Sequence, residues 1–145
     1  MSNSFGLTTW LWLMLAGACG ATARYGLSRW VHSLSFGKIG LLALENGPVS
    51  TLLVNLVGCF LFGILASLLS GRFPNQEGLK VALLVGFIGA FTTFSTYIQD
   101  GWLLSRSHQW FGLGLYLLLS NMTGFLLLWL GHQLGKLLAQ HWPFP

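Results

Sequence analysis

Charge is what this chain has least of. Only 7% of its 145 residues are Asp, Glu, Lys or Arg, against about 25% in soluble domains. With 54% hydrophobic residues and a mean hydropathy of +0.68, it reads as an integral membrane protein with almost no room for a soluble domain. Acids are scarcer still: Glu45, Glu77 and Asp100 are the whole set. None sits with a histidine as a catalytic group would. His32, His108, His132 and His141 fall at span ends or in turns, with no metal-ligand spacing on a helix. An enzyme is therefore not expected. The net charge of +4 comes from basic residues scattered singly, which excludes the stripe that binds nucleic acid. The two cysteines, Cys19 and Cys59, each sit beside a glycine in an apolar run. They read as small buried packing residues, not as a disulfide or metal site.

What is present is apolar length. Four segments, about 7–30, 48–69, 79–104 and 110–138, each exceed the roughly 20 residues that cross a bilayer. No basic residue precedes the first, so it reads as a retained span and not a signal peptide. Gly17, Gly20 and Ala21 give it a narrow face for helix contact. The mixed stretch from His32 to Gly47 reads as a short interfacial helix or loop. Pro48 suits the first turn of the second span. Gly71 to Gly78 and Arg106 to Gln109 are polar turns. Gly131 and Gly135 form a Gly-x-x-x-Gly pair, and six of the tryptophans, including Trp102, Trp110 and Trp142, fall near span ends.

An orienting charge bias is also lacking. Arg72, Lys80 and Lys136 fall on one side, and Arg24, Arg29, Lys38 and Arg106 on the other. Orientation normally follows a clear Lys/Arg excess. Three against four implies either insertion both ways or a signal outside charge.

The third span contains the most unusual stretch, Gly86 to Tyr97. Gly86, Gly89 and Ala90 lead into Thr92, Thr93, Phe94, Ser95, Thr96 and Tyr97. Glycine and hydroxyl residues both weaken a helix. At membrane depth broken backbone survives only where protein or water covers it. The carbonyls of Gly89 and Thr92 bracket the expected break. An anion path needs successive uncharged donors that replace water without trapping the ion. Asn55 supplies an amide, while Thr92, Thr93, Ser95, Thr96, Tyr116, Ser120 and Thr123 supply hydroxyls. Phe94 and Tyr97 share a helix face, and an aromatic edge attracts anions. For any one of these residues, packing or a bond within its own helix is the commoner role. Asn55 combined with a broken hydroxyl-and-aromatic helix is what points to a pore. The rival from another class is a proton-coupled exporter of the small multidrug type. Such exporters use a carboxylate deep in the first helix, and here that helix has none.

These motifs together resemble the small fluoride channels, the Fluc or CrcB family, over all four spans. The matching residues are Gly20-Ala21-x-x-Arg24-Tyr25; Pro48, Thr51, Asn55 and Gly58; Gly89 through Ser95; and Tyr116 with Ser120. Ser50 stands where Gly is usual, Tyr97 where a second Phe is common, Asp100 where Glu is common, and Gly124 replaces a small or hydroxyl residue. The resemblance implies an all-α integral membrane protein of four transmembrane helices per subunit, the third broken. It implies an antiparallel, dual-topology dimer that passes fluoride passively through two pores in the cell (inner) membrane. Asn55, Phe94, Ser95, Thr96, Tyr97, Tyr116 and Ser120 would line the pores. One structural sodium ion would bind the Gly89 and Thr92 carbonyls at the subunit interface, and Arg24 would be a structural or vestibule cation. The implied partner is a second copy of the chain; a related second subunit is the alternative.

Overall fold

A computed structural model describes residues 6–34 and 46–141, and all its regular elements are helices. Lys38, Glu45, Trp142 and most of the expected 32–47 connection lie outside the described residues. Helix α1 spans Leu7–Ser33 and α2 spans Asn46–Arg72. Helix α3 combines Glu77–Lys80, a π-helical section Val81–Ile88, and Gly89–Phe91. Helices α4 and α5 are Phe94–Arg106 and Trp110–His141.

Among the described residues, three helical stretches are long and apolar enough to cross a membrane: Gly47–Arg72, Glu77–Arg106 taken through the break, and Trp110–His141. The chain is a multi-pass membrane protein. Helix α1 has 27 residues, about 40 Å of length, but is less apolar. It carries Thr8 and Thr9 in its first turn and the small residues Ala16-Gly17-Ala18 and Gly20-Ala21 near its middle, and Arg24 and Arg29 interrupt its second half. Large apolar side chains point outward throughout, among them Trp10, Val85, Phe111, Leu118 and Phe125, as lipid or a second subunit requires.

The helices associate through missing side chains. Helices α2 and α5 run in the same direction along the most extensive seam. A Cβ on Gly63 would overlap the Leu128 carbonyl, and one on Gly131 the Phe60 carbonyl. Between apolar helices in lipid no hydrophobic force acts, so this close backbone approach and its dispersion contacts supply the attraction. The expected Gly131/Gly135 pair is used here, against α2. Helices α1 and α3 form a second seam, with Gly20 against the Phe87 carbonyl and Gly86 against that of Leu13. The expected small-residue face of the first span thus meets the third.

Pro48 falls in the first turn of α2, where its lost N–H would have had no helical partner. The 73–76 turn is tied by Lys80 Nζ, which donates to the Pro74 carbonyl at 2.7 Å and pairs with Glu77 at 2.8 Å. His108, at φ 56°, turns the chain between α4 and α5. Two expectations are corrected. Cys19 is exposed on the subunit surface and Cys59 is half-buried. His132 is not at a span end: it lies within α5, where its ring nitrogen meets the Ser67 hydroxyl of α2.

Candidate functional site

The third span breaks at two residues. Helix α3 continues past Gly86 and Gly89 to Phe91. Thr92 (φ −80°, ψ 158°) and Thr93 (φ −144°, ψ 108°) are then extended, and α4 starts at Phe94. The break begins at Thr92, the far edge of the expected Gly89–Thr92 bracket, and runs one residue past it to Thr93, so the hydroxyl residues and not the glycines mark it. Thr93 caps α4: its Oγ1 accepts from the Thr96 N–H at 3.2 Å and donates to Thr96 Oγ1 at 2.8 Å. Thr92 closes α3, its N–H and Oγ1 both donating to the Ile88 carbonyl at 2.9 and 3.0 Å.

Asn55 of α2 bridges the gap. Its Oδ1 accepts from the Thr93 N–H at 2.9 Å, and its Nδ2 donates to the Thr93 carbonyl at 3.1 Å. One side chain thereby satisfies both backbone groups of an extended residue at membrane depth, where each unpaired group would cost several kcal/mol. Close by, a Cβ on Gly58 would collide with the Thr92 methyl, so glycine admits the break against α2. The Thr93 N–H, which in a continuous helix would reach the Gly89 carbonyl, goes to Asn55. The Thr96 N–H, which would reach the Thr92 carbonyl, goes to the Thr93 hydroxyl. Both carbonyls therefore lose their usual helical donors.

Two cavities meet at Thr93. The first, about 400 Å³, is lined by Asn55, Phe94, Tyr97, Ser120 and Asn121 together with Cys59 and apolar neighbours. No charged residue lines it. Phe94, the first residue of α4, is 75% exposed on a single subunit, so its ring is open to an ion or a partner. Tyr97 stands between two rings, 6.0 Å from Phe94 and 5.3 Å from Tyr116. Ser120 Oγ is buried and has no hydrogen-bond partner among the described residues. A donor left open beside an uncharged cavity is what an anion needs.

The second cavity, about 300 Å³, holds Arg24 with Thr51, Thr93 and Thr96. Thus the expected lining divides. Asn55, Phe94, Tyr97 and Ser120 share the first space; Thr96 faces Arg24 in the second; Ser95 is exposed and lines neither. Its hydroxyl lies 3.5 Å from that of Thr93. Tyr116 is fully buried and donates to Asp100 Oδ2 at 3.2 Å. Asp100 itself is buried, its other oxygen near Gly47 in the first turn of α2, where helix N–H groups favour an anion. Sequence reasoning missed Asn121 as a site residue. Its signal was present, as a strongly polar amide within an apolar span.

The CrcB-like protein (camphor resistance) family model matches residues 11–132. A relative from Nitratidesulfovibrio vulgaris (strain Miyazaki F), named a fluoride-specific ion channel FluC, is 39% identical over 86% of this chain and 94% of its own length. One from Desulforapulum autotrophicum with the same name is 38% identical over 88% and 96%. A Geobacillus kaustophilus relative, fluoride-specific ion channel FluC 1, is 36% identical over 87% and 97%. With the family's pattern running from α1 to α5, through the Asn55 clamp and the helix break, the chain belongs to the CrcB family.

Proposed function

We propose that the protein is a fluoride-selective channel of the cell membrane that releases fluoride passively, and that it works as an antiparallel homodimer with two pores. The observation that carries the reading is the uncharged cavity at the helix break, where amide, hydroxyl and aromatic-edge groups converge. Fluoride is the smallest halide and gains most from short hydrogen bonds. A lining without a fixed cation holds it only briefly, as conduction requires. The relatives' names agree. Asn55, Phe94, Tyr97 and Ser120, which share this cavity, are the proposed lining. Thr96 stands in the adjoining space, where Arg24 raises the local anion concentration. Of the remaining expected residues, Ser95 would act from the exposed surface beside the break and Tyr116 from behind Tyr97. Purified protein in liposomes should release fluoride quickly and chloride hardly at all, with or without a proton gradient. Flux that vanishes when the proton gradient is collapsed would replace this reading with a coupled exporter. Silence of the chain alone, relieved by a related second subunit, would make it half of a heterodimer.

Four membrane spans and dual topology belong to the same proposal. They are supported by the length of α1, the outward-facing apolar side chains and the near-even distribution of Lys and Arg. Cysteine labelling at Ser2, with Cys19 and Cys59 replaced, should find roughly half the chains facing each way. A single orientation in every chain would end the dimer model.

The residues at the break also fit a sodium ion. Gly89 is exposed on the single subunit and Thr92 is half-buried, and their carbonyls have lost helical donors. A two-fold axis would bring two such carbonyls from each subunit together, making a neutral set of hard oxygen ligands that suits sodium. The ion would satisfy backbone groups and hold the subunits together. Prolonged exchange into N-methylglucamine should weaken the dimer; an unchanged dimer would remove the site.

A further inference from the structure

We propose that the Tyr97 hydroxyl is a fluoride-binding donor and that Asn121 is the residue that aims it. The inference rests on the channel reading and deepens it. Asn121 lies near the middle of α5 and is exposed on the subunit, yet it lines the cavity with Tyr97. An amide facing hydrocarbon would be costly, so its place is beside water or protein.

The hydrogen bonds determine which way the tyrosine proton points. Asn121 Nδ2 donates to the Leu117 carbonyl one turn earlier, at 2.7 Å. A carbonyl only accepts, so the atom beside it must be the amide nitrogen. The same nitrogen lies 2.9 Å from Tyr97 Oη. Its first proton is committed to Leu117, and its second goes to Tyr97, whose oxygen is thereby the acceptor. Tyr97 has one hydroxyl proton of its own, and Asn121 does not take it. Phe94 and Tyr116 both pack against the ring, which fixes where the hydroxyl oxygen sits. Tyr97 lines the same cavity as Ser120, whose Oγ has no partner among the described residues, so the uncommitted proton is available to an ion there. An amide N–H donated to a phenol oxygen also makes that phenol a stronger donor, because successive hydrogen bonds polarise one another. A phenylalanine here would supply only its ring edge.

The test uses the whole protein in liposomes, measuring fluoride flux across a range of fluoride concentrations. Tyr97→Phe removes one oxygen and leaves the residue the family pattern carries at this position, so the fold should tolerate it. The half-saturating fluoride concentration should rise about tenfold, the loss of one hydrogen bond to an ion, while maximal flux holds or increases. Asn121→Leu should produce the same shift in the Tyr97 protein and none in the Tyr97→Phe protein, since the two residues act as one unit. Fluoride titration of the purified protein should also perturb the near-ultraviolet tyrosine absorption, and Tyr97→Phe should abolish that change. An unaltered half-saturation in Tyr97→Phe, with normal wild-type flux, would overturn the inference and leave the channel reading standing. So would an Asn121→Leu effect that persists in the Tyr97→Phe background. Absence of fluoride flux in the wild-type protein would instead defeat the channel reading itself.

Discussion

The α2–α5 seam and the α3–α4 break solve the same problem in opposite ways. Both must satisfy polar backbone where water is scarce. Along the seam the backbone is already paired within each helix, and Gly63, Gly131 and Gly135 only let the two surfaces close. At the break the backbone is unpaired, and side chains from two helices finish it: Asn55 for Thr93, and Thr93 for Thr96. The seam is a dry contact that tolerates no added atom. The break is a polar junction with cavities on both sides, and it depends on the identity of each donor and acceptor. A membrane protein can thus keep its framework rigid and still expose hydrogen-bonding groups at depth, provided the two tasks use different residues.

The sharpest way to break the contrast is to add atoms to the seam. Gly131→Val would drive its side chain into the Phe60 carbonyl. It should cost about 3 kcal/mol or more, the upper range for overpacking. Thermal unfolding and monodispersity in detergent should both collapse, and flux with them. An unchanged melting temperature would mean that the seam is looser than its geometry.

Changing one atom's chemistry at the break comes next. Asn55→Asp keeps the shape but turns the donor facing the Thr93 carbonyl into a second acceptor. It should lower stability by about 2 kcal/mol, the cost of leaving a buried group unsatisfied. It should also abolish fluoride flux, because a negative charge then stands in an anion path. The protein should still purify as a folded species, unlike the seam variant. Normal flux would remove Asn55 from the pathway.

The smallest effect sharpens the comparison from a polar contact of the seam. Ser67 donates to the His132 carbonyl at 2.9 Å and also meets the His132 ring. Ser67→Ala should cost about 1 kcal/mol, as for a single neutral hydrogen bond, and leave flux unchanged. A change in fluoride flux larger than the change in stability would show that the seam and the break are coupled.

Helix content, the approximate limits of the helices and the position of the break were all legible in the residue order. Apolar length sets a span by itself, and a run of glycine and hydroxyl residues weakens a helix wherever it is placed. Pro48 and the polar turns at 73–76 and 107–109 were local signals of the same kind. Asn55 stood out because an amide in an apolar segment demands a partner. Its partner, however, lies 38 positions away at Thr93, and no local rule names it. The π-helical winding of Val81–Ile88 had no sequence signal that we identify. The division of the hydroxyl residues between two cavities, the burial of Tyr116 onto Asp100 and the Asn121–Tyr97 pair all depended on the antiparallel register of α4 against α5. A residue's type determines what it can donate or accept, and its neighbours in sequence determine whether a helix can pass through it. Which group it meets is decided only when the helices have packed, because that choice is made by distances between segments far apart in the chain.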